Sequence, residues 1–218
     1  MAESFDARCF APATQRNREA ILTVLSRVLP QSGTVLELSS GTGEHAVFFA
    51  PRLAPRQWLP SDPNPLARDS IAAWRQVVPA ENLHAPLALD VCDPVWPVEP
   101  AAAAAPLSLA LGQAPIRAIV NINMIHIAPW AACLGLMAGA KRVLPVGGIL
   151  YLYGPFKRDG QHTAPSNAAF DESLQAQNSD WGVRDLETVV AAAQAQGLAW
   201  RETVEMPANN LSVIFQVE

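Results

Sequence analysis

Cysteine is scarce and unpatterned in this chain of 218 residues: Cys9, Cys92 and Cys133 are odd in number, far apart and without a C-x-x-C pair. That excludes a disulfide framework and offers no zinc-ligand spacing, so no metal site is expected. Charge is thin as well, at 16% of residues, and its balance is acidic at a formal −5. An acidic chain exerts no long-range pull on phosphate backbones or anionic lipid, so neither nucleic acid nor membrane is an expected partner. No apolar run approaches the roughly 20 residues that a membrane span requires. The opening "MAESFDARCF" also lacks a basic segment followed by an apolar one. A cytoplasmic protein is the expectation. Half of the residues are apolar, an ordinary globular composition, and the length suits one well-covered domain, 1–218.

What is present is an alternation of strand and helix patterns. In an N-terminal helix region, 8–30, Ile21, Leu22, Leu25, Val28 and Leu29 fall on one side at helical spacing, with Thr14 available as a cap. Strand-like runs follow at 34–38, 57–61, 83–91, 116–125 and 147–156, separated by helical patterns at 44–53, 65–78 and 130–144. Pro51 is expected to stop or bend the first of these helices. A proline and alanine stretch from Pro94 to Pro115 reads as a loop carrying at most a short helix. The tail changes character: a helix over 184–197 closed by Gly197, then two strands joined at Asn209 and Asn210. This order predicts an α/β fold, a mostly parallel sheet covered on both faces with an antiparallel hairpin at its end. The connection 157–183 is far longer than the two to six residues usual in such folds, which makes it a candidate lid.

The stretch "LELSSGTGEHA" carries the chemistry. Gly41 and Gly43 let the chain turn sharply after a strand, and the pattern Gly41-x-Gly43-x-x-Ala46 with Asp62 nineteen residues after Gly43 fits a nucleotide-binding corner. The same glycines would also serve simple strand-to-helix packing. Glu37, Asp62 and Asp90 end the first three strands, where a parallel sheet forms one crevice. Three carboxylates suit ribose hydroxyls, an amine and a cationic centre better than a pyrophosphate. A nicotinamide-dependent oxidoreductase is the competing reading, because Tyr153 and Lys157 have Y-x-x-x-K spacing. That pair works from one face of a helix, which Gly154 and Pro155 oppose.

"VLELSSGTGEHA" resembles the first motif of class I S-adenosylmethionine-dependent methyltransferases, with Glu37 at its acidic position and Gly41 and Gly43 at two of its glycines. Ser39 departs from it, standing where the pattern has a glycine. The segments "QRNREAIL", "GTGEHAVFFA", "LPSDPNP", "LDV", "NINMIHIAPW", "GPFKRDGQHTAPSNAAFDESL" and "WGVRD", in this order, resemble the methyltransferase-like protein 26 family, a domain of unknown function numbered 938. The resemblance runs from about residue 8 to the carboxyl terminus. It implies a Rossmann-like class I methyltransferase fold with a seven-stranded sheet and S-adenosylmethionine as cofactor. It further implies Glu37, Gly41 and Gly43 around the methionine part and ribose, Asp62 on the ribose hydroxyls and Asp90 beside the adenine. Ser39, His45 and Asn121 complete the candidate cofactor set, although His45 could equally fill the helix start and Asn121 serve the strand.

Asn123 and His126 follow the strand whose end faces the methyl group in such enzymes, so they are the candidate catalytic residues. The His126 imidazole could take a proton, or merely pack under the lid. Lys157 and Arg184 could hold an anionic acceptor or lie solvated, while Tyr153 and Trp181 could wall off water. No N-P-P-Y motif is present, which withholds support from amino-methylating enzymes of nucleic acid. The expectation is methyl transfer to a small molecule. A non-catalytic S-adenosylmethionine-binding protein and the oxidoreductase are the alternatives.

Overall fold

The computed structural model describes residues 6–99 and 114–218, so most of the loop expected between Pro94 and Pro115 lies outside the described residues. The chain runs α1 (Pro12–Val28), β1 (Thr34–Leu38), α2 (Glu44–Arg52), β2 (Gln57–Ser61), α3 (Pro65–Val77), β3 (Ile116–Ile122), α4 (Trp130–Val143) and β4 (Ile149–Gly154). It continues through β5 (Phe156–Arg158), β6 (Gln161–His162), α5 (Pro165–Gln177), β7 (Arg184–Asp185), α6 (Leu186–Gln194), β8 (Leu198–Met206) and β9 (Asn210–Val217). A short 3-10 turn, Met124–His126, follows β3.

The main sheet has the order β2-β1-β3-β4-β9-β8. Its first four strands are parallel, and β9 and β8 close it as the expected antiparallel hairpin. Seven strands were expected, and six form among the described residues. The missing one, 83–91, runs beside β2 only as two isolated parallel bridges, Trp58 with Leu83 and Ser61 with Leu87. Pro60 has no N–H to give at the midpoint of that edge. The pairing therefore slips by one residue between the two bridges, and the ladder breaks.

Side-chain alternation along the strands separates two cores. Leu36, Leu38, Ile119, Leu150 and Leu152 pack on one face with Leu136 and Met137 of α4 and Val189 of α6. Val35, Val120, Tyr151 and Tyr153 pack on the other with Ile21 and Leu25 of α1 and Phe49 of α2. In α4, Gly139 lies directly against the Trp96 ring, where any Cβ would collide with it. Helix α1 starts at Pro12 rather than using Thr14 as a cap: Ala11 is the N-cap, and Thr14 donates its N–H to the Ala11 carbonyl from within the first turn. Pro51 falls inside the last turn of α2.

Only Pro155 separates β4 from β5, so the 157–183 excursion is fixed at the carboxyl end of the central strand. It folds as the β5-β6 hairpin and α5, and β7 returns to pair with β5, giving a small sheet of order β6-β5-β7. Among the described residues no helix is long and apolar enough to cross a membrane.

Candidate functional site

β1 leads into α2 through a loop that turns through left-handed backbone at Ser39 (φ 55°), Gly41 (φ 57°) and Gly43 (φ 86°), beside the carboxyl end of β2. The two glycines have different work. A Cβ on Gly43 would come within 2.8 Å of Ile71, so that glycine lets α2 pack on α3. A Cβ on Gly41 would meet nothing within 4 Å, which leaves open space over its backbone. Ser39 adopts the left-handed conformation that a glycine would enter more easily, so the turn survives the substitution.

Asp62, at the end of β2, braces this loop. Its Oδ2 accepts the Gly41 N–H at 2.9 Å and its Oδ1 accepts the Asn64 N–H at 2.9 Å. A carboxylate has about four acceptor positions, so two stay available for ligand hydroxyls. Glu37 is engaged by the protein. Its carboxyl is buried between β1 and β2, where the Trp58 indole donates to Oε2 at 2.6 Å. Burial pushes Glu37 up to about 8 against that opposing hydrogen bond, and the charge of Asp62 adds to the rise. The group carries a proton at neutral pH. Asp90 is exposed, with Oδ1 accepting the Cys92 N–H at 2.9 Å.

His45 and Asn121 are both buried and engaged by the protein. His45 Nε2 lies 2.8 Å from Asn17 Oδ1 of α1, its ring stacks on Phe49, and burial, with Arg18 nearby, pushes it down to about 4. Asn121 donates to the Leu38 carbonyl at 3.0 Å, tying β3 to the end of β1.

Asn123 and His126 are brought together over Gly154 at the end of β4. A Cβ on Gly154 would collide with the His126 ring and lie 3.2 Å from Asn123 Oδ1. Asn123 is left-handed (φ 64°) and its N–H reaches the Tyr153 carbonyl at 2.8 Å. His126 is fully buried, and neither ring nitrogen has a protein partner. Phe156 meets its ring edge-on at 5.2 Å between centroids. Burial, helped by the nearby Arg184 and opposed by Asp171, pushes His126 down to about 3. The imidazole is neutral throughout the physiological range.

The two cations proposed for an anionic acceptor are already occupied. Lys157 pairs with Asp171 at 2.7 Å, and His162 reaches the same carboxylate oxygen at 3.2 Å. Arg184 donates to the carbonyls of Ile125, Ala128 and Asp180 at 2.9, 2.6 and 2.8 Å. Tyr153 is buried in β4 and Trp181 half-buried after α5. Tyr153 stands in a strand, and Lys157 in β5 is held by Asp171, so the helix-borne pair of the oxidoreductase reading does not form. Sequence reading missed Trp58 as the partner of Glu37, Asn17 as the partner of His45, and Gly154 as the floor beneath His126. A buried-strand tryptophan beside an acidic strand end was the one available signal.

Among the described residues no cluster of three or more His, Cys, Asp or Glu side chains could hold a metal ion. Residues 8–217 match the family model described as "Protein of unknown function (DUF938)". Among solved structures, the chain is similar to an O-methyltransferase family protein from Burkholderia thailandensis, with a TM-score of 0.73 and 14% identity over 94% of this chain and 57% of that one. Human N-acetylserotonin methyltransferase in complex with S-adenosylmethionine gives 0.72 and 12% identity over 94% and 52%. An O-methyltransferase family 2 protein from Planctomyces limnophilus, complexed with apigenin, gives 0.69 and 16% over 92% and 62%. The chain thus spans little more than half the length of these proteins. At such identities the likeness shows the fold, which is the Rossmann-like fold of class I methyltransferases.

Proposed function

The chain belongs to the DUF938 family, and on that premise we propose that it is an S-adenosylmethionine-dependent methyltransferase acting on a small-molecule acceptor. The observation that carries the reading is the left-handed loop after β1, in which Gly41 has open space over its backbone and gives its N–H to the Asp62 carboxylate at the end of β2. These features fit an adenosine-bearing ligand. Asp62 would accept its ribose hydroxyls, and the backbone at Ser39 and Gly41 would lie along it. When bound, the cofactor supplies an electrophilic methyl group.

On the acceptor side, Asn123 and His126 orient the nucleophile. A base is most effective when its pKa lies near the working pH. His126, pushed down to about 3, therefore serves as a hydrogen-bond acceptor that aligns a hydroxyl rather than as a strong proton acceptor. With Lys157 and Arg184 engaged by the protein, a neutral acceptor fits better than an anionic one. Segment 157–183 is the lid of this reading, and the whole chain its single domain. The finer likeness to the methyltransferase-like protein 26 family rests on the order of its motifs.

Calorimetric titration with S-adenosylmethionine, its demethylated product and a nicotinamide dinucleotide tests the proposal. Saturation by the first two at about 100 times their dissociation constants adds roughly 2.7 kcal/mol of stability. Binding of the dinucleotide alone would overturn it. A binding role without transfer is favoured by the weak basicity of His126, and labelled cofactor in a cell extract separates the two. Label on a metabolite that is lost in His126→Ala or Asn123→Ala supports transfer.

A further inference from the structure

A histidine that works on a substrate is ordinarily aimed by the partner of its second ring nitrogen. His126 has none, since both nitrogens are buried and without a protein partner. Its orientation must therefore come from its backbone and from packing. The packing is supplied by Phe156 at the ring edge and by Gly154 beneath.

The carbonyls of this turn are held from the end of the 157–183 excursion and the residue that follows it, while the Asn123 N–H ties its start to Tyr153. Arg184 Nε donates to the Ile125 carbonyl at 2.9 Å and Arg184 Nη2 to the Ala128 carbonyl at 2.6 Å. Between them the Gly182 N–H reaches the carbonyl of His126 itself at 2.9 Å. Three carbonyls in the four residues 125–128 are thus gripped by residues 182 and 184. The grip is anchored in turn: Val183 donates its N–H to Asp171 Oδ1 at 2.7 Å, and Arg184 pairs through β7 with Phe156.

We propose that Arg184 is a positioning residue for His126, its guanidinium fork fixing the turn so that the imidazole stands over Gly154 with neither nitrogen taken by a protein group. The role in the reaction rests on the function proposed above, while the positioning does not. A planar fork suits it, because two separate nitrogens must reach carbonyls three residues apart. An ammonium offers a single point.

The test uses full-length protein labelled with 15N-histidine and follows the imidazole correlations from about pH 5 to about pH 8. The His126 signal is assigned by its loss in His126→Gln. In the wild type this ring stays neutral across the range, consistent with a pKa of about 3. In Arg184→Lys, which keeps the positive charge beside the ring and removes only the fork, the signal shifts and begins to titrate toward the ordinary 6.5. Arg184→Ala does the same, and millimolar guanidinium returns its spectrum toward that of the wild type. An unshifted, non-titrating His126 in Arg184→Lys overturns the proposal, and that variant decides alone should Arg184→Ala fail to fold. The charged groups that act on the ring are Arg184 and Asp171, and Asp171 is unaltered in both variants. Cofactor titration of the wild type is a separate readout: failure there removes the proposed function and leaves the His126 result standing.

Discussion

Asp62 Oδ2 and the backbone N–H of Gly41 meet at 2.9 Å, tying the end of β2 to the loop that follows β1. The carboxylate thereby shapes the loop with two of its acceptor positions, and the proposed ligand would use the others. Hydrogen bonds to a charged group contribute about 1.5–3 kcal/mol each. Asp62→Ala is therefore expected to weaken S-adenosylmethionine binding roughly tenfold to a hundredfold, at about 1.4 kcal/mol per tenfold. Calorimetry checks this, and unchanged affinity removes Asp62 from the site.

Glu37 predicts a pH dependence. Its folded pKa, about 8, lies above the ordinary 4.5, so the folded state holds a proton that the unfolded state releases. The stabilisation is complete below about pH 4.5 and declines as the pH rises toward 8. Glu37→Gln keeps an acceptor for Trp58 and cannot ionise. Urea titrations at several pH values should show the variant gaining on the wild type across this window, by up to about 4 kcal/mol at the top. A gap that does not vary with pH contradicts the raised pKa.

Gly154→Ala would push a methyl group into the His126 ring. The ring is walled by Phe156 and cannot retreat freely. Overpacking of this kind costs about 1–3 kcal/mol. Thermal unfolding should show the loss, and the His126 imidazole signal should move in the same variant.

Asp171 holds the excursion together. Burial alone would raise its pKa, but Lys157, the Val183 N–H and His162 outweigh that, and the carboxyl is held below its ordinary 3.8. The link is therefore intact above about pH 3.8 and is lost only as the pH falls through the lower folded value. Asp171→Ala leaves Lys157 and the Val183 N–H without their partner. Breaking a buried pair costs about 3–5 kcal/mol, and the low end applies because Lys157 reaches water. Hydrogen exchange should quicken first in 157–183 and at residues 125–128, ahead of the sheet; uniform acceleration would deny the excursion its separate hold.

Much of this was legible in the sequence because it is encoded locally. The turn at Gly41 and Gly43, the helix after it and the closing hairpin each follow from spacing and from residues that tolerate left-handed backbone. What escaped depends on partners distant in sequence. The strand at 83–91 has an acceptable local pattern, and its ladder fails because the neighbouring strand carries Pro60. Glu37 sits where an acidic cofactor contact was expected, but Trp58, 21 residues on, takes its carboxyl. Arg184 looked like an anion binder, yet it serves backbone carbonyls as many as 59 residues away. A carbonyl has no side-chain signature, so such a partner cannot be read from residue types.

The hairpin end of the sheet has one more consequence. Strand β8 is its outer edge, and an open edge invites another molecule to continue the ladder. Here the register shifts between Trp200 and Glu202, and charged Arg201, Glu202 and Glu205 line the strand, with Glu202 bound to Arg27 at 2.7 Å. The kink and the charges make that border a poor template, protecting the protein from edge-to-edge aggregation.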